Sequence, residues 1–184
     1  MFSRQFLLVS GLAVAALSVA AWAQAANAAS RDKAFFQSVA GAWRGPGEIV
    51  AGKYKGTKFT CNLIGTASEG STAGVKLDGT CRVGVFQQPM SAVITQNGGS
   101  YNGKFLDGAA GKGLDVTSGS VNDNTVVVGL NRQKLNGAMI ARLQDDKSMN
   151  VTISVKVDEQ MVPVIGLSLK RETVDTMTVG AIKQ

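Results

Sequence analysis

Residues 39–50, VAGAWRGPGEIV, set a tryptophan, Trp43, among Gly41, Gly45 and Gly47, residues that have no side chain at all. The spacing is even, so in an extended chain all four fall on one face. Just upstream the period differs. In residues 30–41, SRDKAFFQSVAG, Phe35, Phe36 and Val39 form the apolar side of a short helix. Ser30 is placed to cap it, Asp32 lies in its first turn and Gly41 ends it. The chain thus passes from helical to strand periodicity at Trp43, and residues 29–41 are expected to be a short capping helix in front of a β-domain.

Downstream the alternation persists. Met149, Val151, Ile153, Val155 and Val157 alternate with Asn150, Thr152, Ser154 and Lys156, the pattern of a half-buried strand. Turn signals recur at AGKYKG, SEGSTAG, QNGGS, LDGAAGKG, VNDN, LNG and DDKS, and the runs between them are of strand length. The count is about ten strands, with eight as the lower alternative. Consecutive strands at this spacing suit an all-β, antiparallel up-and-down barrel, which leaves no sheet edge exposed. A β-sandwich is the competing architecture. The barrel is expected over residues 42–172, with 173–184 as a C-terminal extension.

Residues 41–47 spell G-x-W-x-G-x-G, which resembles the first-strand motif of the nitrobindin-like barrels and, more loosely, the G-x-W of lipocalins and fatty-acid-binding proteins. The resemblance implies that Trp43 plugs the narrow end of the barrel, that the glycines let strands approach and bend, and that a basic residue of the last strand packs over the indole. Arg171, on the face of Ile165, Leu167 and Leu169, is the candidate, in a contact of about 1 kcal/mol. Gly41, Trp43, Gly45, Gly47 and Arg171 are therefore the expected barrel closure. Nitrobindin-like proteins hold haem through a histidine near the end of the barrel. This chain contains no histidine, so the haem is not carried over, and no cofactor is expected. The same absence removes serine–histidine–aspartate catalysis and histidine metal sites.

Residues 1–28 read as a secretory signal: Arg4, an apolar run over 6–21, and small-x-small sites at 21–23 and 26–28. An uncleaved anchor is the alternative. No later segment is apolar enough to span a membrane as a helix. Removing Arg4 with the signal leaves 18 basic and 13 acidic residues. That balance favours anionic lipid or glycan surfaces. Nucleic acid is not an expected partner, since there is no basic run or aromatic ladder. Cys61 and Cys81 suit an oxidising space, periplasmic or extracellular. In a hairpin turning about Ser71 they stand directly opposite each other, on the face of Phe59, Leu63, Val75 and Leu77, so a disulfide is expected; two free thiols are the alternative.

Other clusters read as structure. Gly111-Lys112 lacks the spacing of a phosphate loop. The pairs Asp145-Asp146 and Asp158-Glu159 lie in turns, and the methionines are scattered, which suits core filling more than copper. Lys53, Tyr54, Lys55 and Lys58 form a basic cluster in the first hairpin turn, a candidate mouth for an acidic head group. Phe59, Leu63, Met149, Val151, Ile153 and Val155 are the candidate cavity wall. The expected function is an exported, non-catalytic, lipocalin-like carrier of a small apolar or amphipathic molecule. The alternative is a cell-envelope interaction protein with a filled barrel that acts through its surface.

Overall fold

Period-two alternation governs the computed structural model, which describes residues 28–106 and 113–172. A helix, α1, runs over residues 28–39. It is followed by β1 (Gly41–Ile49), β2 (Lys58–Ala67), β3 (Gly74–Val83), β4 (Phe86–Asn97), β5 (Ser100–Leu106), β6 (Leu114–Asn122), β7 (Thr125–Arg132), β8 (Leu135–Asp145), β9 (Ser148–Val157) and β10 (Gln160–Arg171). Each strand pairs antiparallel with the next, and β1 closes the ring against β10. The fold is a closed ten-stranded up-and-down barrel with a helix in front of it.

The register sorts the side chains. Trp43 faces Leu63 and Arg171, Cys61 faces Cys81, Leu77 faces Ala92, and Met139 faces both Val128 and Ile153. These apolar positions point inward, while Lys76, Asp78, Lys104, Asp115 and Asn150 stand outside and exposed. An apolar interior under a polar exterior is the reverse of the pattern in membrane-spanning barrels. Among the described residues no helix is long and apolar enough to cross a membrane.

Cys61 and Cys81 are bonded, their Cα atoms 4.0 Å apart across the β2–β3 ladder. Disulfides persist in oxidising compartments. The signal segment, the extension 173–184 and Gly111-Lys112 lie outside the described residues, apart from residue 28, which is helical. Because α1 is already formed at that point, Ser30 sits within the helix and does not cap it. The helix stops at residue 39, and Gly41, at φ 121°, opens β1.

Two turns differ from the sequence reading. LNG is no turn: Leu135, Asn136 and Gly137 already belong to β8, and the chain reverses at Gln133-Lys134, with Gln133 at φ 55°. Gly137 is small for another reason, since a Cβ there would press on the Ser154 carbonyl of β9. Between β3 and β4 the chain reverses at Gly84-Val85 with no polar turn residue; Gly84, at φ 56°, supplies the left-handed conformation.

Candidate ligand cavity

One end of the barrel is closed by α1. Phe35, Phe36 and Val39 dip into the opening and are almost fully buried with Trp43. The Phe36 ring lies 5.4 Å from that of Tyr101 on β5, centroid to centroid. The Tyr101 hydroxyl donates to Asp32 Oδ2 at 2.7 Å. Burial, and then the neighbouring Asp32, push the phenol's pKa well above its usual range, so it stays a donor. Arg31 donates to the Val121 carbonyl at 3.2 Å, and Lys33 to the Gly70 carbonyl. The helix is thus pinned to three different hairpins.

Its C-terminus is held by the motif. A helix end leaves carbonyls without partners, and here Trp43 Nε1 donates to the Val39 carbonyl at 2.8 Å. Arg171 donates to the carbonyls of Ser38 and Ala40, and its Nε donates to that of Asp146 at 2.7 Å. The Asp146 carbonyl is positioned by the β8–β9 turn. There the Asp145 carboxylate accepts from the Lys147 N–H and the Ser148 hydroxyl, which hold its pKa below the usual range. The Arg171 guanidinium lies 4.3 Å from the centre of the Trp43 ring. A side chain at Gly41 would strike that guanidinium. One at Gly45 would strike the β10 backbone at Ser168, and one at Gly47 would strike the Phe59 ring. The sparse side chains around Trp43 clear space for an arginine, a strand and a phenyl ring.

Beyond this plug the barrel is hollow. A cavity of about 260 Å³ runs from Trp43 toward the opposite end. Phe59, Leu63, Met149, Val151, Ile153 and Val155 all line it, with Leu77, Ala92, Phe105, Met139 and Leu167 around the circumference. A well-packed interior holds few voids larger than a water, so the cavity speaks against the filled barrel of the alternative reading. Arg132 is the one charged residue on the lining among those described. It shares the inward face of Val126, Val128 and Leu130 at the end of β7 and stands at the mouth. The sequence reading passed over it, although its parity with those residues was the available signal. Tyr101 and its bond to Asp32 were also passed over.

The lysine cluster lies at the open end. Lys53, Tyr54 and Lys55 occupy the β1–β2 turn and Lys58 begins β2, all away from the cavity wall; Lys53 Nζ stands 5.5 Å from the centre of the Tyr54 ring. The open end therefore carries two separate basic features, Arg132 on the lining and the lysines around the rim, and the sequence reading had named only the lysines. The nitrobindin-like haem does not fit these residues. There is no histidine, and the inward positions of the last strand are Ile165, Leu167 and Leu169. Among the described residues no cluster of acidic or cysteine side chains could hold a metal ion.

No family model matches the chain, and no curated protein matches it either. Solved structures do. The chain is similar in fold to the crystal structure of Rv2717c from M. tuberculosis, with a TM-score of 0.58 and 10% identity, over 77% of this chain and 98% of that one. A Nostoc punctiforme protein of unknown function, of the DUF3598 family, matches at a TM-score of 0.47 and 15% identity. That match spans 74% of this chain and 49% of the other. At such identities the likeness to Rv2717c speaks for the barrel alone.

Proposed function

We propose that this chain is an exported, lipocalin-like binding protein for a small amphipathic molecule with an apolar body and an anionic end, and that it performs no catalysis. The hollow apolar barrel is the observation that carries the reading. Small-molecule sites are typically concave and apolar with a few placed polar groups, and here Arg132 at the mouth is such a group. An apolar cavity of ~150 Å³ holds a benzene, so about 260 Å³ suits a ligand of roughly ten carbon atoms. The resemblance of residues 41–47 to nitrobindin-like and lipocalin-like barrels supports the same reading, as does the Arg171–Trp43 contact. Export is supported by the disulfide and by the apolar N-terminal run. Binding is favoured over catalysis because the lining carries no carboxylate among the described residues and the chain has no histidine.

The test is calorimetric titration with decanoate, a ten-carbon chain bearing an anion, set beside native mass spectrometry of protein recovered gently from its host. Saturable one-to-one binding is expected, with a Kd on the order of 10 μM. Val151→Trp, which fills the cavity, should abolish it, and Arg132→Gln should weaken it about tenfold. Uptake unchanged by Val151→Trp would refute the reading.

A further inference from the structure

The open end carries an apolar surface that the cavity does not explain. Val85 and Phe86, at the tip of the β3–β4 hairpin, are 88% and 77% exposed, and Tyr54 in the neighbouring β1–β2 turn is 63% exposed. Val83, Val157 and Met161 at the same end are also exposed, each by a little under half. Single apolar residues on a surface are ordinary, whereas several gathered at one end mark an interaction site. A hairpin tip needs only turn-forming residues, so solvation does not account for a valine followed by a phenylalanine. Val83 and Phe86 face each other across the ladder and share the parity of Cys81, so they continue the inward face of β3 and β4 past the mouth.

Charge identifies the occupant. Among the described residues the open end presents Lys53, Lys55, Lys58, Arg82 and Lys134. The acids there are Glu48, across the ladder from Lys58, Asp115, paired with Lys104, and Asp158 and Glu159, of which Glu159 is paired with Lys156. At the closed end acids and bases are interspersed: Asp32 meets Arg31, and Asp145 and Asp146 directly precede Lys147. The positive excess thus lies at the end where the apolar tips are. Apolar residues that insert, ringed by cations that meet phosphates, are the chemistry of an anionic bilayer surface.

We propose that the open rim is a membrane-docking surface: Val85 and Phe86 enter the interfacial zone of an anionic lipid bilayer while Lys53, Lys55 and Lys58 contact its phosphates. Docked in this way, the barrel presents its mouth to the lipid. The proposal concerns the rim and holds whether or not the cavity carries a cargo.

The experiment is co-sedimentation of the full chain, in the form recovered from its expression host, with phosphatidylglycerol-containing vesicles and with phosphatidylcholine vesicles. Each surface lysine contributes about a factor of five toward an anionic bilayer. Partition should therefore be at least tenfold stronger on the anionic vesicles, and it should fall about 25-fold or more in Lys53→Glu/Lys55→Glu. Val85→Asp/Phe86→Asp should abolish it, while Lys33→Glu at the closed end leaves it unchanged. Both rim variants alter exposed positions at hairpin tips, and an unchanged thermal transition checks that they fold. Several results would overturn the proposal. Partition unaffected by the rim variants would come from elsewhere, the apolar N-terminal run included. Salt-sensitive binding to an anionic polysaccharide without vesicle binding would assign the lysines to a glycan. A dimer that Val85→Asp/Phe86→Asp dissolves, again without vesicle binding, would assign the tips to a second copy of the chain.

Discussion

Replacing Arg171 with alanine removes three things at once. The guanidinium stacks on Trp43 at 4.3 Å, a contact of about 1 kcal/mol. It donates to the carbonyls of Ser38 and Ala40 at the end of α1, where a cation also opposes the helix dipole. Both carbonyls lie near the surface, and water would replace part of what is lost, so these bonds contribute about 1.5 kcal/mol together. The bond to Asp146 adds about 0.5 kcal/mol. The expected loss is about 3 kcal/mol, read as a fall in urea midpoint of about 1.5 M or a drop in Tm of roughly 10 °C. Arg171→Lys keeps the charge without the planar fork and should lose about 2 kcal/mol. A double-mutant cycle with Trp43→Leu isolates the stacking term, with an expected coupling of about 1 kcal/mol. If Arg171→Ala costs less than about 0.5 kcal/mol, or its cost is unchanged in the Trp43→Leu background, the closure is not held as described.

Three further outcomes follow from the described geometry. The Tyr101 phenol has a raised pKa, so above pH ~10 the unfolded chain releases this proton while the folded one retains it. Stability should fall with rising pH there, by up to ~1.4 kcal/mol per pH unit, and Tyr101→Phe, followed by urea melts across that range, should lose this component of the slope. Cutting the disulfide with Cys61→Ala/Cys81→Ala frees a loop whose ends are 20 residues apart and should cost about 3 kcal/mol by calorimetry. Gly45→Val, which drives a side chain into the β10 backbone, should abolish folding as judged by near-UV dichroism, whereas Gly99→Ala, in open space at a turn, should leave Tm within about 2 °C.

The barrel could be read from the sequence because one face of each strand is apolar and the other polar. The Cys61–Cys81 register follows from counting along such strands; counting also puts Arg171 on the inward face of the last strand, while its place over Trp43 is implied by the resemblance of residues 41–47. The hollow interior could not be read that way. Whether inward side chains meet in the middle depends on strand number and tilt, which set the radius, and alternation carries neither. Arg132 escaped notice because its inward parity competes with its position at a strand end, where a charge is usually solvated. The apolar tips of the rim escaped for a different reason. Gly84-Val85 forms a turn without a polar turn residue, so the chain reversal that exposes Phe86 leaves almost no local signature. Tyr101 and Asp32 are far apart in the chain, and only closure of the ring brings the helix against β5.

The order of strands around the ring bears on how the molecule comes apart. Nine of its ten seams join strands adjacent in the chain, and only the β1–β10 seam joins the two ends of the barrel. Hairpins can assemble from local contacts, whereas pairing Trp43 with Arg171 requires the whole sheet to have curled first. We expect that seam to form after the rate-limiting barrier in folding and to part before it in unfolding. The Arg171–Trp43 clasp is accordingly a determinant of lifetime more than of folding speed. Weakening it should hasten unfolding and leave the refolding rate nearly unchanged in stopped-flow measurements.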